Sequence, residues 1–151
     1  MTKLTLSQFA DKLTKILPVM LREFARRQAD GLSKGKITLP QFVILNFLYD
    51  KDEAKMSDLA HFMGVTTAAM TGLVSRLVKS AYVQRLFDSN DRRIIKVKLT
   101  SKGAKLVKEV HLQRRKMIID IFGKISEIER EDYLRILGRI HQILTKEDSK
   151  Q

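Results

Sequence analysis

The spacing of apolar residues changes after Ala81, and this change limits the possible folds more than any other feature. Before this point apolar residues recur every three or four positions, as they do along one face of an amphipathic helix. From Val83 they alternate with polar residues, and the run 95–100 repeats this alternation after the polar segment 88–93. The spacing therefore predicts a β-hairpin in an otherwise helical chain, a mainly α protein of the α+β class.

Four helices are predicted before the hairpin. The first carries apolar residues from Leu6 to Phe24; Pro18 is expected to kink or break it, and the segment 31–35 to end it. The second begins at a capping box formed by Thr38 and Gln41 and leads into a charged turn at residues 49–53. Two shorter helices follow, one from Ser57 to Gly64 and one capped by Thr66.

Two further helices are predicted after the hairpin, one over residues 101–122 and one beginning at the capping box Ser126-Glu127-Ile128-Glu129. Two short helices joined by a tight turn, followed by a basic hairpin, are the elements of a winged helix-turn-helix. The fold class that we predict is this motif, extended by long N- and C-terminal helices.

Positive charge is concentrated in the same part of the chain. The net charge is +12, and residues 76–105 carry nine basic side chains against only Asp88 and Asp91, a net +7. Residues 1–75 carry ten basic and seven acidic side chains, and residues 106–151 carry ten and eight. Such a local excess favours a polyanion, since neutralised phosphates release counterions. The alternative is a solvated basic surface, and charge alone favours nucleic acid only slightly over it.

The helix predicted at 66–80 carries small and hydroxyl-bearing side chains away from its apolar stripe. These are Thr66, Thr67, Ala68, Thr71, Gly72 and Ser75. In a helix-turn-helix the second helix lies in the major groove, where serine and threonine can contact bases or phosphate and a methyl group can contact thymine. Small polar residues also line solvated helices, so this face does not decide the function by itself.

The turn of the hairpin carries Arg92 and Arg93 at its tip, where side chains project furthest. Arginine suits a narrow minor groove, because its planar cation is weakly hydrated and the potential there is strongly negative. Lys96 and Lys98 are expected on the outer face of the second strand, in contact with flanking phosphates. The hairpin is therefore predicted to be a DNA-binding wing.

Six short segments of the helix pair and the hairpin carry a recognisable pattern: Met56-Ser57-Asp58-Leu59-Ala60, Gly64-Val65-Thr66, Leu73-Val74-Ser75-Arg76-Leu77, Val83-Gln84-Arg85, Asp91-Arg92-Arg93 and Val97-Lys98-Leu99-Thr100-Ser101-Lys102-Gly103. Together they resemble the MarR family of transcriptional regulators. The specific part of this resemblance is Asp-Arg-Arg followed by Val-x-Leu-Thr-x-x-Gly, and the order of elements agrees over nearly the whole chain. Ala81 departs from the family, which usually has glycine before the wing, so this helix end is expected to be strained or altered.

The resemblance implies a homodimer that binds a palindromic operator in double-stranded DNA, usually as a repressor that a small ligand releases. By position it implies major-groove contacts from Thr67, Ala68, Thr71 and Ser75, and minor-groove contacts from Arg93 with Arg92 beside it. It also implies an ion pair between Arg76 and Asp91 that braces the wing.

The whole chain, residues 1–151, is expected to form one MarR-like domain. Its winged helix-turn-helix lobe spans 37–100, and residues 1–36 and 101–151 form a helical dimerisation region. The apolar stripes at 9–24 and 133–144 exceed what a lobe of about 65 residues can cover, which favours burial between two chains. Packing within one subunit is the alternative.

An enzyme is the main alternative class. His61, His111 and His141 fall on separate elements without metal-ligand spacing, and Asp58 beside His61 is more typical of a surface contact than of a catalytic pair. No nucleophile elbow, phosphate-binding glycine loop or paired-carboxylate pattern occurs. We predict no enzymatic activity, no metal and no cofactor. An architectural protein that binds DNA without sequence preference is the closer alternative.

The sequence does not identify the effector or its site. The resemblance implies a small aromatic or phenolic ligand, for which Phe24, Phe42 and Phe47 are candidate wall residues, although aromatic residues at helical spacing more often belong to the core. The chain has no cysteine, which rules out a thiol switch. A zinc site would need the fold to bring His111 and His141 together.

The N-terminal residues lack the apolar core of a signal peptide. The most apolar stretch, 42–49, is far shorter than the roughly 20 residues of a membrane span. The absence of cysteine also suits a reducing compartment. We therefore expect a cytoplasmic protein that does not associate with membranes.

Overall fold

A computed structural model describes residues 3–31 and 37–148. Its elements are α1 (Leu6–Gly31), α2 (Leu39–Lys51), β1 (Glu53–Lys55), α3 (Met56–Met63), α4 (Thr67–Lys79), β2 (Val83–Phe87), β3 (Ile95–Leu99), α5 (Ser101–Phe122) and α6 (Glu127–Asp148). The predicted class, mainly helical with a small β-hairpin wing, is confirmed. The chain divides into two compact units, residues 1–113 and 114–151. The predicted division into a DNA-binding lobe and a dimerisation region is a different one, because it depends on which helices pack against a second chain. It stays a prediction.

Helix α1 starts at a capping box in which Gln8 N donates to Thr5 Oγ1 and Thr5 N donates to Gln8 Oε1. It continues through Pro18 without a break, so the predicted break is wrong, while the predicted kink stays a prediction. Proline removes one backbone donor, and the strong helix formers around it, such as Leu17 and Leu21, keep that loss local. The end predicted at 31–35 lies largely outside the described residues.

The core of the first unit is formed by α2, α3, α4, the sheet and the first half of α5. Helix α2 is central, since Phe42, Ile44, Leu45 and Leu48 on several of its faces are fully buried. The predicted capping box of Thr38 and Gln41 is present at its start. Burial of this apolar surface is the main stabilising term of the lobe.

The sheet has three antiparallel strands in the order β1-β3-β2. Strand β1 was not predicted, because Glu53-Ala54-Lys55 has no β-branched residue and falls in what the sequence indicates as a charged turn. It forms because the backbone N–H and C=O groups on the free edge of β3, far along the chain, need hydrogen-bond partners. In this pairing Glu53 lies opposite Lys98. β2 and β3 form the predicted hairpin, with Val83 opposite Leu99.

The second unit contains the end of α5 and helix α6. The predicted capping box of α6 is present, since Ser126 N donates to Glu129 Oε2 and Glu129 N donates to Ser126 Oγ. The turn before it is closed by Arg130, whose Nη1 donates to the carbonyl oxygens of Phe122 and Ile125. Both predicted closing helices are therefore confirmed.

The segment Thr100-Ser101-Lys102-Gly103 joins the start of α5 to the end of α4. The Thr100 hydroxyl accepts from Gly103 N at 3.1 Å and donates to the Ala81 carbonyl at 2.6 Å. Lys102 Nζ donates to the Ser80 carbonyl at 2.9 Å. The Thr-x-x-Gly part of the family pattern is thus a junction that holds the base of the wing.

Gly103→Ala is expected to destabilise the protein by more than about 2 kcal/mol, because the added Cβ would overlap the Tyr82 carbonyl oxygen and crowd Leu99. Urea denaturation measures this effect. The matched control is Gly72→Ala on exposed α4, where a Cβ meets nothing within 4 Å and the helix gains about 1 kcal/mol. A Gly103→Ala variant as stable as the wild type would contradict the close approach.

The end of α4 is a Schellman motif with alanine at the left-handed position. Ala81 has a φ of 61°, its amide donates to the Val78 carbonyl, and Tyr82 N donates to the Leu77 carbonyl. The helix end is therefore not altered by the missing glycine. Ala81 instead adopts a left-handed conformation that its Cβ disfavours.

Ala81→Gly is expected to stabilise the protein by about 0.5–1 kcal/mol, since relief of Cβ strain exceeds the extra chain entropy of glycine. Thermal and urea unfolding at one protein concentration measure the change. Ala104→Gly, in the right-handed interior of α5, is the control and should lose about 1 kcal/mol. A loss of stability in both variants would contradict strain at residue 81.

Candidate nucleic-acid interface

Helix α4 is placed by its two ends and by its buried stripe. Gly64, with a φ of 64°, ends α3 in the left-handed conformation and allows a tight turn. The Thr66 hydroxyl then accepts from Ala69 N at 3.1 Å, as predicted for the helix cap. Met70 and Val74 are fully buried, so the opposite face of α4 is exposed.

The exposed face of α4 carries the residues predicted for the major groove, namely Thr66, Thr67, Ala68, Thr71, Gly72 and Ser75. The Thr71 hydroxyl donates to the Thr67 carbonyl at 2.8 Å, and the Ser75 hydroxyl donates to the Thr71 carbonyl at 2.7 Å. A hydroxyl has a single hydrogen, so in this state both side chains offer only lone pairs to a ligand. They can accept from amino groups but cannot donate to phosphate.

Arg85 on β2 is a residue of this surface that the sequence prediction did not assign. Its Nη2 donates to Ser75 Oγ at 2.6 Å and lies 3.5 Å from the Thr71 carbonyl oxygen. The segment Val83-Gln84-Arg85 was part of the family resemblance, but no sequence signal places β2 against that side of α4. Only the folded chain reveals the contact.

The turn of the wing is organised by Asp88. Its Oδ1 accepts from Asn90 N at 2.9 Å and from Asp91 N at 3.2 Å. The Asn90 backbone amide, helped by the Lys96 ammonium group and the Asp91 amide, lowers the pKa of Asp88 below its usual value. This carboxylate therefore stays charged at neutral pH and fixes the shape of the turn.

Lys96 and Lys98, which the sequence predicts to contact phosphates, are both ion-paired with carboxylates in this structure, and their phosphate contacts stay a prediction. Lys96 Nζ lies 3.2 Å from Asp88 Oδ2 and 3.3 Å from Glu53 Oε1, and the Lys98 ammonium lies 3.3 Å from a carboxylate oxygen of Asp52. The hydrogen bond to Asp88, then that to Glu53, raises the pKa of Lys96. The carboxylates come from both neighbours of β3, since Asp52 and Glu53 lie at the start of β1 and Asp88 follows β2.

The predicted ion pair between Arg76 and Asp91 does not form. Arg93 Nε lies 3.2 Å from Asp91 Oδ1, and the backbone amide of Arg93 donates to the same oxygen at 3.0 Å. Arg76 has no ion pair within the described residues. Asp91 and Arg93 belong to one tight turn, so their side chains are already adjacent, whereas Arg76 lies on α4. The Arg93 side chain remains 92% exposed at the wing tip, and Arg92 is also exposed.

A cleft of about 370 Å³ separates the start of α4 from the wing. Its lining residues are Lys55, Met56, Ser57, Thr67, Thr71, Arg93, Ile94 and Ile95. The structure thus brings Thr67 and Thr71 of the predicted major-groove set to the same cleft as Arg93 of the predicted minor-groove pair. The cleft is open and carries both hydroxyl and cationic groups.

The histidines and aromatic residues that the sequence offers as other candidates lie in the following surroundings. No group of three or more histidine, aspartate or glutamate side chains suited to a metal occurs in residues 3–31 and 37–148. His111 Nε2 lies 2.6 Å from Asn46 Oδ1, and the His111 ring packs edge-on against Phe42, a core residue. The Phe47 ring packs against Phe62. No helix in the described part of the chain is long and apolar enough to cross a membrane.

Asp88→Ala is expected to accelerate amide hydrogen exchange at Asn90 and Asp91, because both amides lose their acceptor. Asp88→Asn keeps an acceptor and loses the ion pair with Lys96, so its exchange should rise less. In the wild type the lowered pKa of Asp88 means that this stabilisation is present above about pH 4 and is lost as the pH falls through the folded-state value. Equal exchange in all three proteins would contradict the role of Asp88.

A short helix pair, an exposed hydroxyl-bearing second helix and a basic hairpin define a winged helix-turn-helix transcriptional regulator. A family model described as MarR family matches residues 37–95. The HTH-type transcriptional repressor YetL of Bacillus subtilis is 31% identical over 145 residues, 95% of this chain and 81% of its own length. The chain belongs to the MarR family, whose members are transcriptional regulators and not enzymes.

Solved structures agree with this fold. A MarR family protein from Bacillus stearothermophilus superposes with a TM-score of 0.83 at 25% identity, covering 93% of this chain and 99% of that one. A mutant of Staphylococcus aureus MepR, solved bound to an oligodeoxyribonucleotide, gives a TM-score of 0.69 at 22% identity, covering 87% and 96%. The latter likeness concerns the fold alone.

Proposed function

We propose that the protein is a homodimeric, sequence-specific repressor that binds a palindromic operator and is released by a small ligand. The observation that carries this proposal is the cleft with Thr67 and Thr71 of α4 on one side and Arg93 of the wing on the other. A helix in the major groove and a wing tip in the adjacent minor groove require such a separation, because one sugar-phosphate strand runs between the grooves.

Helix α4 supplies the base contacts in this proposal. Thr71 and Ser75 present lone pairs, which match the amino groups of adenine and cytosine in the major groove. The exposed methyl group of Ala68 can contact a thymine methyl, and Gly72 leaves room for close approach. Thr66 and Thr67, at the start of the helix, complete the proposed contact surface.

The wing supplies the minor-groove contact. Arg93 is oriented by Asp91 and is almost fully exposed, so it can enter a narrow groove without losing packing. Arg92 lies beside it. The ion-paired Lys96 and Lys98 contribute to the positive field, and a phosphate that either contacts competes with the carboxylates already beside it.

Homodimerisation is supported by large apolar side chains that a single chain leaves exposed. Those on α1 include Leu6, Phe9, Leu13, Ile16, Leu17 and Leu21, and those on α6 include Leu134, Ile136, Leu137, Ile140, Ile143 and Leu144. Exposed apolar surface of this extent is rare on monomers and typical of obligate interfaces. A two-fold dimer places two α4 helices on half-sites about one helical turn apart, about 34–36 Å.

The effector is proposed only by class, as a small aromatic or phenolic molecule, and its binding site is not assigned. Repressor names occur among the relatives, YetL being one, and support a repressor rather than an activator. A regulator of this kind acts where the chromosome is, which supports a cytoplasmic location.

The deciding experiment is selection of bound duplexes from random-sequence DNA, with sedimentation equilibrium on the same protein. We expect an inverted repeat to be enriched, and a particle of twice 17.4 kDa. Enrichment without a shared sequence would indicate an architectural DNA-binding protein, and a monomer at micromolar concentration would contradict the symmetric operator.

A further inference from the structure

We infer that Arg85 binds a phosphate of the DNA strand that separates the two grooves, and that Ser75 is the residue that positions it. The inference rests on the proposed function, since it presumes that α4 and the wing bind duplex DNA. It adds a phosphate contact at the base of the wing, and it gives Ser75 a second role besides base contact.

Arg85 is held on one side and open on the other. Its Nη2 donates to Ser75 Oγ at 2.6 Å, while Ser75 donates its own hydrogen to the Thr71 carbonyl. Arginine carries five N–H donors, and the bonds to Ser75 and Thr71 both use Nη2. The side chain is exposed, so its remaining donors face solvent. The guanidinium is thus oriented before any ligand arrives, which lowers the entropy cost of binding.

Charge distinguishes Arg85 from most other cations of the hairpin. Arg93, Lys96 and Lys98 each lie within 3.3 Å of a carboxylate oxygen. Arg85 has no ion pair in the part of the chain that the structure describes. An unpaired cation can release a full counterion from DNA, whereas a cation already paired with a carboxylate gains less.

Position indicates phosphate rather than a base edge. Arg85 belongs to β2, which packs against the side of α4, and its contacts Thr71 and Ser75 lie one turn apart on that helix. Thr71 also lines the cleft that Arg93 closes from the other side. Arg85 does not itself line the cleft, but its contact Thr71 does. We therefore place the strand that lies between α4 and the wing within reach of Arg85, where its phosphates carry the acceptors that the free guanidinium donors fit.

The test places single methylphosphonate substitutions along the selected operator, which remove one phosphate charge at a time. With wild-type protein we expect lost affinity at each contacted phosphate. Arg85→Ala should become insensitive at one phosphate per half-site and should lower the salt slope by about 0.9 per protomer. Lys108→Ala, an exposed lysine of α5, is the control for net charge and should keep the wild-type phosphate profile.

Two further variants separate positioning from charge. Arg85→Lys keeps the charge, so the salt slope should persist while affinity falls several-fold. Ser75→Ala should reduce the affinity lost when that same phosphate is replaced by methylphosphonate. In a protein that already carries Arg85→Ala, adding Ser75→Ala should not change the response to this replacement. Urea unfolding of Arg85→Ala is expected to match the wild type, because the side chain is exposed.

An Arg85→Ala protein that keeps sensitivity at every phosphate would overturn the inference. A loss confined to operators with one particular guanine would also overturn it, since that result defines a base contact. If wild-type protein selects no DNA, the proposed function itself fails, and that outcome is recognised before any variant is made.

Discussion

The winged lobe depends on the close contact between the start of α5 and the end of α4. The Thr100 hydroxyl caps α5 and donates a hydrogen bond to the Ala81 carbonyl. Because Gly103 has no Cβ, the Tyr82 carbonyl has room beside it to accept from Thr100 N. β2 begins immediately after this point and β3 ends immediately before it. Both ends of the hairpin therefore start from one fixed junction, and the angle between wing and helix pair follows from it.

Charge is arranged in two ways within the hairpin. Asp88 and Glu53 hold Lys96, and Asp91 holds Arg93, so these cations stabilise the turn and strands besides adding positive potential. Arg85 is held by neutral oxygen atoms instead, and its charge is uncompensated within the described residues. A count of basic residues treats all of these cations alike, although their partners leave them unequally available to DNA.

Much of the fold could be predicted, because it follows from local patterns. The α-to-β change after Ala81, the caps at Thr38, Thr66 and Ser126, and both closing helices were each encoded within a few neighbouring residues. Two of the errors concern pairings that the sequence pattern does not fix. Strand β1 exists only through β3, and Asp91 pairs with Arg93 rather than with Arg76 because the choice between acceptors depends on distance in the fold.

Short-range patterns were enough to establish the family, the order of elements and the positions of the hydroxyl-bearing and arginine-bearing segments, since periodicity and turn residues act between near neighbours. The folded chain was needed to show which cations are already paired, that Thr71 and Ser75 donate within their own helix, and that Arg85 lies against α4. The ion pairs of Lys96 and Lys98 and the contacts of Arg85 join residues from different elements, and they depend on packing angles that no local pattern records.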